Sequence, residues 1–183
     1  TGKINQELVS LLNRAGAHAV GVSGKDGGLL RARRVQPADG RDPGHAGEVT
    51  SVNRDFLEML LQKSYVPVIS PTALGDDGSS YDLDADEVAA EVAVAVGAFK
   101  LIYLGDVAGV LDKGELVTGL HVDELIRRVE SDAIAGGMKT RALAIRRALK
   151  GGVERVHVID GRTPHTVIAE LFTDRGVGTL VTA

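Results

Sequence analysis

Residues 85–104 read Ala85-Asp86-Glu87-Val88-Ala89-Ala90-Glu91-Val92-Ala93-Val94-Ala95-Val96-Gly97-Ala98-Phe99-Lys100-Leu101-Ile102-Tyr103-Leu104. The first part is an Ala/Val helix running to about Gly97, and the second, from Lys100, is an apolar strand. That strand does not alternate polar and apolar positions, so both of its faces expect cover. The same kind of segment recurs at Val66-Pro67-Val68-Ile69-Ser70 and at Arg155-Val156-His157-Val158-Ile159. Helical signals lie around them. Ile4, Leu8, Leu11 and Leu12 share one helix face, as do Phe56, Leu57, Leu60 and Leu61, and further helices are expected near 122–131, 138–150 and 164–172. This alternation predicts an α/β fold with a mainly parallel central sheet covered on both faces. Ligands of such sheets sit beyond the carboxyl ends of the strands, which points to the loops after Ser70, Leu104 and Ile159.

Outward from these segments, strands are expected at Ala19–Ser23 and Leu29–Val35, paired to each other across a turn at 24–28. A hairpin is expected over 110–117 with Lys113-Gly114 at its turn, and a closing strand at 177–181. Residues 36–47 and 71–81, rich in Gly, Asp, Pro and Ser, read as polar loops. A chain of 183 residues, 44% hydrophobic and 25% charged, is of globular composition and the size of one domain. No apolar run approaches the roughly 18 residues of a membrane span. The opening residues Thr1–Glu7 carry no apolar signal core, so a cytoplasmic location is expected and no membrane partner. With no cysteine there is neither a disulfide framework nor thiolate chemistry. A net charge of −4 with 3% aromatics argues against a nucleic-acid grip, leaving a small-molecule ligand.

Four loops could carry chemistry. Asp82-x-Asp84-x-Asp86 invites a calcium reading, but an EF-hand would need glycine where Glu87 stands and glutamate where Ala93 stands. Asp84 and Glu87 are instead explained as a helix N-cap and its capping-box partner. Asp82 and Asp86 are left over, and one or both can face a ligand. Gly136-Gly137-Met138-Lys139-Thr140-Arg141 opens a helix without the Walker A spacing. It is either a phosphate seat at a helix N-terminus or a flexible turn before a solvated basic face. Asp106–Leu111 follows a strand as a tight turn, and on its own terms reads as a connection. In Asp160-Gly161-Arg162-Thr163-Pro164-His165, Thr163 and Pro164 look like N-cap and N1, and His165 alone reads as a surface or packing histidine. No metal-ligand cluster is expected, and there is no G-x-S-x-G.

Six segments, in this order, resemble the acetylglutamate kinase branch of the amino acid kinase family. They are Gly24-Lys25-Asp26-Gly27, Tyr81-x-Leu83-x-Ala85-Asp86, Asp106-Val107-x-Gly109-Val110-Leu111, Gly136-Gly137-Met138, Ile159-Asp160-Gly161-Arg162-x-Pro164-His165 and Glu170-Leu171-Phe172-Thr173-x-x-Gly176-x-Gly178-Thr179. The resemblance covers nearly the whole chain and matches the later two thirds of a family member. It implies the three-layer amino acid kinase sandwich, with 1–70 the remainder of an acyl-amino-acid-binding lobe and 71–183 a nucleotide-binding lobe. The unmatched third of a member holds its catalytic lysine, Gly-rich loops and carboxylate-binding arginine. The expectation is therefore a shortened copy, inactive alone.

The implied reaction moves the terminal phosphoryl group of ATP, with Mg2+ bridging its phosphates, to the side-chain carboxylate of N-acetyl-L-glutamate in arginine biosynthesis. L-arginine is the implied inhibitor, and a homo-oligomer, dimer or hexamer when intact, the implied assembly. By the resemblance, Asp86 organises the catalytic lysines, while Asp106, Val107, Ala108, Gly109, Val110 and Leu111 border the nucleotide together with Ala133, Ile134 and Ala135. Where Asp82 stands the family carries a substrate-binding asparagine, and an ionised Asp82 can only accept. Where Arg141 stands it carries lysine at the transferring phosphate; arginine keeps the charge and changes the geometry. The implied arginine site lies around His165, Glu170, Gly176 and Gly178, where Glu170 could take a guanidinium through two parallel hydrogen bonds. The other reading of that run is a helix end with Gly176 as its left-handed cap, leading into an edge strand. Two alternatives to the kinase stand beside it: a sister kinase acting on carrier-bound aminoadipate or glutamate, and a non-catalytic arginine-sensing domain.

Overall fold

The computed structural model describes residues 2–37, 42–131, 134, 136–173 and 176–183. The chain divides into two compact units, Thr1–Val96 and Gly97–Ala183. The division therefore falls after Val96 and not at 70/71. The reason is pairing: residues 72–75 and 80–83 are hydrogen-bonded into the sheet of the first unit.

The first unit runs α1 (Lys3–Arg14), β1 (Ala19–Ser23), β2 (Leu30–Arg34), β3 (Ala46–Val52), α2 (Arg54–Gln62), β4 (Val66–Ser70), β5 (Thr72–Gly75), β6 (Ser80–Leu83) and α3 (Ala85–Ala95). β1 and β4 lie parallel from Ala19↔Val66 to Ser23↔Ser70, so they end side by side. β2, β3, β6 and β5 close into a small barrel. Its interior and the helices over it bury Leu29, Leu30, Ala32, Leu57, Ala73, Tyr81, Leu83 and Val88.

Two expectations need correction. The strand after the 24–28 turn does not pair with β1 but with β3 and β5. The turn hands the chain over: Gly24 N–H donates to Ser70 O, and Leu30 N–H donates back to Gly24 O at 2.6 Å. Asp26 Oδ2 meanwhile accepts from Ser23 N–H at 2.7 Å. The stretch 71–81 is likewise no plain loop. β5 and β6 form an antiparallel hairpin there, and Tyr81 Oη donates to Asp77 Oδ2 across its turn at 2.7 Å. The strands are short, with Thr72 and Leu74 outward on β5 and Ser80 and Asp82 outward on β6, which hid the alternation of Ala73, Gly75, Tyr81 and Leu83 inward.

The second unit runs β7 (Lys100–Gly105), β8 (Leu111–Asp112), β9 (Glu115–Leu116), β10 (Gly119–His121), α4 (Val122–Glu130), α5 (Gly137–Lys150), β11 (Arg155–Asp160), α6 (Thr166–Phe172) and β12 (Thr179–Thr182). Its sheet has the order β10-β12-β11-β7. β7 and β11 are parallel, β12 is antiparallel to β11, and β10 is parallel to β12. Four consecutive residues of β11, Val156 to Ile159, are buried, as a strand covered on both faces requires. The β8–β9 hairpin turns through Lys113 at φ 49° and Gly114 at φ 87°, the two positive angles a type I′ turn demands. The expected α/β fold with parallel pairing is what the chain adopts. No helix among the described residues is long and apolar enough to cross a membrane.

Candidate functional site

β7 and β11 end together. Gly105 is paired with Asp160, and Gly161 N–H donates to Gly105 O at 2.8 Å. Arg141, in the second turn of α5, reaches this strand end. Its guanidinium carbon lies 5.5 Å from the centre of the Tyr103 ring, close enough for a cation–π contact. A Cβ on Gly105 would stand only 2.8 Å from Arg141 Nη1, so a larger residue there would push the guanidinium aside. Asp106 follows immediately and is exposed. Beside it, Asp160 Oδ1 accepts from Arg162 N and Nε, both at 2.9 Å, and Oδ2 accepts from Nη2 at 2.8 Å. The Arg162 side chain, and then its backbone N–H, hold the Asp160 carboxyl at about 2. The structure thus places Arg141 at the start of the 106–111 segment. Tyr103, which seats Arg141, was missed; an aromatic two residues before a glycine-ended strand was its only signal.

The rest of 106–111 is anchored. Gly109 and Val110 are buried, and Val110 N–H donates to Thr179 Oγ1 at 2.8 Å. The Thr179 hydroxyl itself donates to Val117 O at 2.6 Å, while Val117 N–H donates to Val110 O at 2.9 Å. Of the other expected nucleotide-bordering residues, Ile134 is buried and its N–H donates to Arg128 O at 3.1 Å. Ala133 and Ala135 lie outside the described residues. α5 opens at Gly136, φ 62°, with no side chain capping it, and Cβ atoms on Gly136 and Gly137 would meet nothing within 4 Å. That open first turn is compatible with an anion and does not by itself specify one.

In the first unit, Asp84 is the N-cap of α3, accepting from the N–H groups of Asp86 and Glu87 at 3.0 Å each. Asp86 is half-buried in the first turn of that helix. Asp82 is exposed on β6, where its N–H donates to His45 O at 2.8 Å. The paired ends of β1 and β4 carry a polar group that sequence reasoning passed over. Asn5 Nδ2 donates to Val68 O at 2.8 Å and to Ser70 Oγ at 3.1 Å, and Ser23 Oγ lies 3.3 Å from Thr72 Oγ1.

Near the C-terminal end of the second unit, Glu170 is buried. Its Oε2 accepts from Val177 N–H at 2.6 Å and Gly178 N–H at 3.1 Å, and its Oε1 lies 2.6 Å from His157 Nδ1. Burial pushes its pKa up, but the hydrogen bonds from His157 and the two backbone groups outweigh that and hold it below the ordinary 4.5. A cleft of about 560 Å3 opens beside this pair, lined by Lys100, Arg155, His157, Glu170, Gly176 and Gly178 among others. His157 Nε2 is buried there with no hydrogen-bond partner among the described residues. Two sequence readings change. His165 does not line the cleft; it is the exposed, left-handed residue that starts α6, at φ 60°. Gly176 is not a left-handed cap, since its φ is not positive; a Cβ there would stand 2.6 Å from Glu170 Oε2. His157, hidden inside an apolar strand, is a histidine that lines this cleft.

The amino acid kinase family profile matches residues 1–160. The chain is 44% identical over 186 residues to the acetylglutamate kinase of Caldicellulosiruptor saccharolyticus, covering 98% of itself and 64% of that protein. It therefore spans about 64% of the length of the curated relatives it matches. Among solved structures, the N-acetylglutamate synthase of Neisseria gonorrhoeae complexed with coenzyme A and N-acetyl-glutamate superposes with a TM-score of 0.82 at 26% identity, over 98% of this chain and 43% of that one. The carbamate kinase of Giardia lamblia bound to citric acid shares the fold at a TM-score of 0.73 and 11% identity, over 98% of this chain and 70% of its own. From a glycine-ended parallel strand with an arginine seated on it to the matched profile, the observations converge: this chain belongs to the amino acid kinase family.

Proposed function

We propose that the chain carries the nucleotide-handling part of a kinase that transfers the terminal phosphoryl group of ATP to the side-chain carboxylate of N-acetyl-L-glutamate. The observation that supports it most is Arg141 seated on Gly105 at the joint carboxyl end of β7 and β11. Phosphoryl transfer gathers negative charge on the phosphate oxygens, and a guanidinium at this strand end has the charge and the planar donor geometry to meet it. Mg2+ belongs to the proposal as the partner of the nucleotide phosphates; among the described residues no three His, Asp or Glu side chains converge to hold a metal ion. Asp86 and Asp82, in the first unit, are proposed to order catalytic lysines and to meet the acyl-amino-acid. A cytoplasmic setting, a place in arginine biosynthesis and a homo-oligomer go with the same reading.

Binding, not turnover, is the appropriate readout for a chain that spans 64% of its relatives' length. Calorimetry with ATP-Mg should show weak binding, of millimolar order or tighter, that Arg141→Ala abolishes and Arg141→Lys keeps. No heat from the folded wild-type chain would overturn the reading.

Inhibition by L-arginine is the second part of the proposal, located at the cleft beside Glu170. Here the carboxylate already accepts three hydrogen bonds, so a guanidinium must join a filled shell or use the outer lone pairs of Oε1. Arginine titrated into the chain should bind weakly, and Glu170→Gln should weaken it at least about fivefold by removing the charge. Equal affinities in the two proteins would remove Glu170 as the guanidinium partner.

A further inference from the structure

One buried hydroxyl joins two parts of the second unit that the functional reading treats separately. Glu170 fixes the N–H groups of Val177 and Gly178. The next residue, Thr179, is wholly buried and places its Oγ1 between Val110 N and Val117 O. The fit leaves no slack: a Cβ on Gly109 would stand 2.5 Å from that same Oγ1. The path from cleft to loop is thus one carboxylate, three consecutive backbone residues and one hydroxyl, with hydrogen bonds at both ends. The bonds from Gly178 N–H to Glu170 and from Val110 N–H to Thr179 are buried, those of Val177 N–H and Val117 O half-buried. The buried pair cannot exchange partners for water without opening the structure, so the two ends share one geometry.

We infer that Thr179 is a positioning residue for the Asp106–Val110 loop, through which the grip of Glu170 on Val177 and Gly178 sets that loop's geometry. Its bearing on ligand binding rests on the proposed reading of 106–111 as the nucleotide border, but the linkage itself does not. A threonine is required for more than shape. Valine has the same outline yet leaves Val110 N–H without an acceptor and Val117 O without a donor. Serine keeps both bonds and gives up a methyl group.

Amide hydrogen exchange on the 183-residue chain tests the linkage directly. Thr179→Val should speed exchange at Val110 by about tenfold or more, while Thr179→Ser stays near wild type. Glu170→Gln should speed exchange at Val177 and Gly178 and also, severalfold, at Val110; in the Thr179→Val background it should have no further effect at Val110. Three results would overturn the inference: Val110 indifferent to Glu170→Gln, serine behaving like valine, or every amide of the second unit speeding up equally. A parallel ATP-Mg titration should find binding weakened severalfold by Thr179→Val and restored by Thr179→Ser. Equal binding in wild type and Thr179→Val would overturn the effect of the loop on nucleotide. Absence of binding by the wild type would instead overturn the nucleotide reading of the loop, and the exchange arm would still decide the linkage.

Discussion

Glu170 shows how a residue can be legible in type while its partners are not. Its motif marked it from sequence as a carboxylate with a guanidinium to bind, yet the fold commits it first to Val177, Gly178 and His157. That commitment depends on a histidine in an apolar strand and on two backbone groups past the helix, none of which local pattern ties to it. Glycines at this scale are fixed by what lies next to them. Gly176 abuts the Glu170 carboxylate, so Gly176→Ala should destabilise the second unit by about 2 kcal/mol, through overpacking against a buried charge. Thermal or urea unfolding would measure this, and a variant as stable as wild type would show that the carboxylate yields at little cost.

Among the elements, long periodic segments were readable and short paired ones were not. α5, α3 and β11 stand within a residue or two of where periodicity put them, because burial of one face or both imprints a pattern over many positions. The β5–β6 hairpin and β10 are three or four residues long, and their pairing is set by partners far along the chain. The mistaken β1–β2 hairpin has the same origin: a Gly-rich turn between two apolar runs signals adjacency, but Ser70, 46 residues after Gly24, takes the bond that the turn offers. Helix ends, by contrast, are local chemistry and are predictable. Asn53 caps α2 by accepting from Phe56 N–H at 3.2 Å, and its Nδ2 donates to Gly27 O at 2.9 Å. Asn53→Ala should therefore cost about 1–2 kcal/mol, the cap plus a lost tie to the 24–28 turn. Asn53→Asp should recover the cap part only, which a denaturant midpoint can resolve.

For the molecule as a whole, the shifted groups define a pH window. Asp42, Asp77, Asp160 and Glu170 are all held below their ordinary values: Asp42 by Gly44 N–H and Arg34, Asp77 by the Tyr81 hydroxyl and Ser79 N–H, Asp160 by Arg162, and Glu170 as described. Their ionised forms are favoured by folding. Their contribution is complete above the unfolded carboxylate range and drains away as pH falls through the folded values, down to about 2 for Asp160. Tyr81 moves the other way: its bond to Asp77 raises it above 10.0, so its contribution is intact below that value and is lost as pH rises through the folded one. Stability should be level through neutrality, with an acid flank deepened by Glu170 and an alkaline flank that Tyr81→Phe removes. Urea midpoints across pH would check it, and an alkaline flank unchanged in Tyr81→Phe would assign that loss to other groups.

The strand order of the second unit carries a consequence for how the polypeptide is made. Among the described residues β10 is held in its sheet by β12 alone, with Leu120 beside Val181, although β12 follows every other strand of the unit in sequence. On a ribosome, β7, α5 and β11 can assemble as they emerge, but β10 must stay unjoined until residues 179–182 have emerged as well. The Thr179 latch on Val110 and Val117 waits for the same moment. A nascent chain stalled before residue 179 would thus hold a half-built sheet and an unlatched 106–110 loop.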